Sequence, residues 1–182
     1  MAAYCFSTYS NQLNTKRFVD TGYISSSLLG TWLLLSPLVG GIFGCSVGGF
    51  LTDFISSKER FGPVKSRLIV MAVSQLIAGP VALADLFLPY PWSFLTLTLA
   101  YFFAEMWYGC LFAVLFDLLP ENGAKYNTTF FGLFMFVINI FASNMTFMVQ
   151  VISSNLQVSL GILYAGGYFT GGVIFMLTFL VY

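Results

Sequence analysis

Ile24–Ile55 reads ISSSLLGTWLLLSPLVGGIFGCSVGGFLTDFI, with no charged side chain before Asp53. A bilayer core about 30 Å thick takes roughly 20 apolar residues of helix, so this stretch can cross it and continue beyond. Working outward, four more segments fit the same ruler: Leu68–Leu88, Trp92–Leu119, Thr128–Ser153 and Val158–Tyr182. The breaks between them are polar or proline-marked. Ser56–Arg67 (SSKERFGPVKSR) carries four of the seven basic residues, Pro89-Tyr90-Pro91 is a tight proline turn, and Pro120–Asn127 (PENGAKYN) and Ser153-Ser154-Asn155 complete the set. Proline stops one helix and is well suited to start the next. The pattern predicts an all-α polytopic membrane bundle of five transmembrane helices. Residues 1–23 hold no continuous apolar run and are expected to form an extramembrane or interfacial lead-in rather than a signal peptide, because their charges follow the weakly apolar stretch.

Composition agrees. Apolar residues make up 58% of the 182 and charged residues 8%, against about 25% charged in a soluble domain. Mean hydropathy is +0.87. Seven Lys+Arg balance seven Asp+Glu, so no basic surface is left over for nucleic acid. There is no His, which removes His-based triads and His metal ligands together. Cys5, Cys45 and Cys110 lack ligand-like spacing. No metal, cofactor or catalytic residue is expected, and the chain reads as a non-enzyme. Gly44-Cys45-Ser46-Val47-Gly48 matches G-x-S-x-G on paper, yet that elbow needs a strand-to-helix turn and a His partner. Asn127-Thr128-Thr129 and Asn144-Met145-Thr146 are formal glycosylation sequons, one on the expected cytoplasmic side and one inside a span.

The basic residues set an orientation. Lys58, Arg60, Lys65, Arg67 and Lys125 fall on one side, Lys16 and Arg17 on the other. The 56–67 and 120–127 loops and the carboxyl terminus are therefore expected in the cytoplasm. Ser36, Gly40, Gly44 and Gly48 recur at steps of four, with Gly41, Cys45 and Gly49 in a parallel row. Small residues at this spacing let a second helix approach closely. Gly161, Ala165 and Gly167/Gly171 are expected to repeat the device on the fifth helix. Tyr90, Trp92 and Tyr182 sit where an interfacial aromatic belt belongs.

Four acids lie within or at the ends of spans. Asp53 and Asp117 are expected near the cytoplasmic face, and Asp85, four residues from Pro89, is expected to reach the outer interface. Only Glu105 falls near mid-helix, about 13 residues from either end. With no Lys or Arg of these spans at its depth, Glu105 is held neutral, faces water, or pairs outside this chain; the bland reading is a neutral Glu satisfied by neighbouring hydroxyls. Asn139 and Asn144 on the fourth span are further candidates for a substrate or proton pathway, although amides also serve as interhelical glue.

Gly48-Gly49-Phe50-Leu51-Thr52-Asp53 and the basic loop after it resemble the G-x-x-x-D-(R/K) loop motif of the major facilitator superfamily. Gly49, Asp53, Lys58 and Arg60 would be its working residues, with Phe54 standing where the family carries a base. Lys58–Leu88 resembles the loop and following helix in the carboxyl-terminal half of spinster-type transporters. Phe103–Pro120, with Glu105, Trp107, Gly109 and Asp117, resembles their tenth helix and the turn after it, Lys125 standing for the family's arginine. The resemblance covers about residues 28–182. It implies that the spans correspond to helices eight to twelve of a twelve-helix transporter, with the amino-terminal half as missing partner. It also implies export of a lysophospholipid or sphingoid phosphate, with proton coupling, at the plasma or an endolysosomal membrane. The alternative is a small non-transporting multi-span protein that assembles with partners through its glycine rows.

Overall fold

The computed structural model describes residues 9–57, 62–118, 127–144 and 146–182. Among them the fold is all-α, with five helices long and apolar enough to cross a membrane. We number the helices α1 (Ser26–Ser56), α2 (Pro63–Phe87), α3 (Trp92–Leu118), α4 (Asn127–Asn144), α5 (Thr146–Ile152) and α6 (Leu156–Val181). α4 and α5 together make the fourth span.

Each start has a local cause. Ser25 caps α1, its hydroxyl accepting from the Leu28 N–H at 3.3 Å. Asn155 caps α6, its Oδ1 accepting from Gln157 N at 3.0 Å and Val158 N at 3.4 Å. α2 begins at Pro63, one turn before the apolar run at Leu68, because a proline in the first turn needs no N–H partner and the extended Gly62 leads into it. It ends where Leu88 turns extended before Pro89.

α2 is the central element and the most buried of the spans, and the fourth span is the least. It packs on α3 and α6, while α1 packs chiefly on α3. Two apolar clusters fill the bundle. One, near the proline turn, joins Leu13, Phe18, Leu29, Leu86, Phe94 and Leu160. The other, at the opposite end, joins Val64, Leu68, Met71, Cys110, Leu111 and Val114. The two ends are distinct. Arg17 reaches Leu88 and Gln157 reaches Leu86 at the first, whereas Lys65 lies over the Phe179 ring, 6.0 Å from its centroid, at the second. Tyr90, Trp92 and Tyr182 are all exposed at helix ends.

In the lead-in, residues 9–14 are helical and widen into a π turn over Thr15–Val19, and Ser10, Leu13, Asn14 and Phe18 are buried against the bundle. The fourth span is described over α4 and α5, and Met145 between them lies outside the described residues. On α6 the small-residue contact runs through Gly161 and Gly172, not Gly167/Gly171. A Cβ on Gly172 would come within 2.7 Å of Leu76, and one on Gly171 would meet nothing. One residue, about 100° of helix rotation, separates the two faces, and the buried Tyr164 lies on the face that docks on α2.

The alternation of ends sets a topology that labelling can check. Cysteines placed at Ser57, exposed at one end, and at Tyr90, exposed at the other, are expected to react with impermeant reagent from opposite sides. Labelling from one side only would contradict it.

Candidate functional site

The buried stripe of α1 is Leu29, Ser36, Gly40, Gly44, Gly48 and Thr52. Below Leu29 it carries only small side chains, so the α3 backbone lies directly on it. A Cβ on Gly40 would stand 2.6 Å from the Thr98 carbonyl oxygen. One on Gly44 would strike the Phe102 carbonyl, and one on Gly48 the Met106 carbonyl. Thr98 Oγ1 donates to Ser36 Oγ at 3.1 Å, closing the top of the seam. Close backbone approach supplies the van der Waals contact that apolar surface cannot supply in lipid.

Glu105 stands at the edge of this seam. It is half-buried on α3, and a Cβ on Gly41 would come within 3.7 Å of its Cγ. Cys45 Sγ donates to the Glu105 backbone oxygen at 3.3 Å. Gly41 and Cys45 thus leave room for the side chain where α1 borders open space. Among the described residues its carboxylate meets no basic side chain, since the one ion pair joins Arg67 and Asp117.

The second carboxylate is Asp85, and here the structure overturns the sequence reading. Asp85 does not reach the interface; it is 1% exposed. The proline turn folds α3 back so that Ser93 Oγ donates to Asp85 Oδ1 at 2.6 Å. Above it sits Arg17, whose guanidinium donates to the Asp85 carbonyl at 3.1 Å and the Leu88 carbonyl at 2.7 Å. Burial pulls the Arg17 guanidinium below its usual value, and the negative charge of Asp85 opposes that pull. Asp85 also borders a small cavity shared by α2, α3 and α6, lined by Ala82, Leu97, Ala100, Tyr101, Tyr164 and Tyr168. Its room for water centres is about 10 Å³, enough for one water. Sequence reasoning missed this cluster. The signal available was Arg17, one of only two bases on its side, together with a serine just past a proline turn from an acid.

The loop motif is rearranged relative to expectation. Close approach occurs at Gly48, whereas a Cβ on Gly49 would meet nothing within 4 Å. Asp53 is exposed, and Lys58, Arg60 and Lys125 lie outside the described residues. The described polar link at this end is the Arg67–Asp117 pair between α2 and α3. Asn139 and Asn144 are both exposed on α4 and do not join Glu105 in one site. Each donates to its own helix, to Met135 O at 2.7 Å and Ile140 O at 2.8 Å respectively. No group of three His, Cys, Asp or Glu that could hold a metal occurs among the described residues.

No family model, curated protein or solved structure matches the chain.

Proposed function

We propose that this chain forms consecutive helices of the carboxyl-terminal half of a major facilitator transporter of spinster type, exporting a lysophospholipid or sphingoid phosphate with proton coupling. The observation that carries the reading is Glu105: a carboxylate deep in a span, at the open edge of a tight helix seam, with no basic partner among the described residues. A carboxylate is costly at that depth, and acids kept there usually mark an aqueous, proton or substrate path. The resemblance of 48–53 and 103–120 to the family's loop motif and tenth helix supports the same reading. In it, the missing half covers the side of α4 that bears Asn139 and Asn144. The loops at 56–67 and 120–127 and the carboxyl terminus face the cytoplasm of a plasma or endolysosomal membrane, and no step is catalytic.

A second reading has its own observation. Gly132 on α4 and Gly166 and Gly171 on α6 have open space where a Cβ would stand. Bare small residues of this kind suit docking by another helix, as in a non-transporting assembly partner.

Export of a fluorescent lysophospholipid and of a sphingoid phosphate from proteoliposomes holding the full-length transporter, both halves present, separates the two. Glu105→Gln, which keeps the shape, is expected to lower transport roughly tenfold and to flatten its pH dependence while leaving expression intact; that corresponds to losing one charge-assisted contact of ~1.5 kcal/mol. If Glu105→Gln transports normally while Glu105→Leu unfolds the protein, Glu105 is structural glue and the assignment fails. Absence of any export when the chain is joined to an amino-terminal half would favour the assembly reading.

A further inference from the structure

We propose that Asp85 is a proton-binding site, its carboxyl taking up and releasing a proton at the tyrosine-lined cavity between α2, α3 and α6, under a cover formed by the lead-in helix. The inference concerns a residue and a region that the transport reading does not use, and it stands without that reading.

Geometry singles out the carboxyl. Ser93 occupies Oδ1, whereas Oδ2 is buried and meets no hydrogen-bond partner among the described residues. A bare carboxylate oxygen beside carbon-lined space is costly, so the atom calls for a proton or a water that brings one. Arg17, the nearest cation, does not fill that role. Its donors go to the carbonyls of Asp85 and Leu88 and to Asn14 Oδ1 at 3.5 Å, not to the carboxylate.

Both protonation states have a home. The charged form is served by the Ser93 hydroxyl and by the positive charge of Arg17, which is electrostatically coupled to Asp85. The neutral form donates from Oδ2 into the cavity. The ionisable groups facing the site are Arg17 from the lead-in, Tyr101 from α3 and Tyr164 and Tyr168 from α6, with Glu105 one turn deeper on α3. A hydronium ion gives its proton to Oδ2, leaving a neutral acid and a water; release is the reverse.

The ligand is a proton and not a metal cation because of the space and the lining. About 10 Å³ admits one water centre, and apart from Asp85 and three tyrosines the walls are alkyl. Hard cations such as calcium and magnesium take about six or more oxygens. Access runs past the lead-in helix. Arg17 is fastened to the carbonyls at the end of α2, and Phe18 packs at a tilt against Phe94 with ring centroids 5.7 Å apart. Lifting that helix exposes Ser93 and Asp85 to outer water.

Infrared difference spectroscopy of the whole protein in lipid bilayers tests this. A carboxylic-acid carbonyl band is expected that titrates with pH, persists in Glu105→Gln and disappears in Asp85→Asn. Ser93→Ala keeps the acid but removes the donor to its charged form, so the midpoint of the band should move to higher pH; this decides the matter even if Asp85→Asn does not fold. Arg17→Gln should speed hydrogen–deuterium exchange at the band about tenfold by loosening the cover. Replacing sodium by choline should change nothing. No titrating band, a band indifferent to both Asp85→Asn and Ser93→Ala, or a midpoint displaced by sodium would overturn the proton site. Unchanged exchange in Arg17→Gln would overturn the cover.

Discussion

Gly44→Leu is expected to abolish the folded bundle. The Cβ alone strikes the Phe102 carbonyl, and that obstacle is backbone inside a helix, which cannot turn aside as a side-chain tip can. The steps at Gly40 and Gly48 meet the Thr98 and Met106 carbonyls in the same way, so α1 cannot escape by sliding without losing all three contacts. Overpacking a core costs about 1–3 kcal/mol when neighbours can yield; here they are rigid, and even Gly44→Ala should reach the top of that range. Gly49→Ala is the control. Its Cβ meets open space, and the change should stay within about 0.5 kcal/mol. Unfolding midpoints in a denaturing-detergent titration check both. An unaltered midpoint for Gly44→Leu, or equal losses at Gly44 and Gly49, would show that the seam is not where the stability lies.

Arg17→Ala is expected to release the lead-in helix. The guanidinium fork ties residues 9–23 to two carbonyls at the end of α2, and hydrogen bonds from a charged group contribute about 1.5–3 kcal/mol each when buried. Because Arg17 is only part-buried, a loss of about 2 kcal/mol in total is expected. Cleavage of the lead-in by a broad-specificity protease should then outpace that of the unaltered protein. Arg17→Lys should rescue little, since a single ammonium does not present a planar fork to two acceptors. If Arg17→Ala resists protease as the parent does, the apolar burial of Leu13 and Phe18 holds the helix by itself.

The five spans, the proline turn at 89–91 and the row Ser36/Gly40/Gly44/Gly48 were legible along the chain. So was the singularity of Glu105 at mid-helix. Each depends on a property that accumulates over consecutive residues: apolar length against bilayer thickness, proline and polar breaks, or a four-residue repeat. The parallel row was equally visible, but nothing local distinguished Gly48 from Gly49. Their side of the helix differs by one residue, and only the docking of α3 chose between them.

Asp85 shows the same limit more sharply. Read along the chain it sits four residues from a proline turn, where an interface is the natural expectation. In the fold it is 1% exposed, because Ser93 returns across the turn and Arg17, 68 residues earlier, closes over it. The chain by itself determined which segments leave water, since transfer to lipid is summed residue by residue along a helix. Which acid is buried, which glycine touches a neighbour and which face of α6 is inward were decided by the tertiary structure, because these depend on helix rotation and on partners remote in sequence.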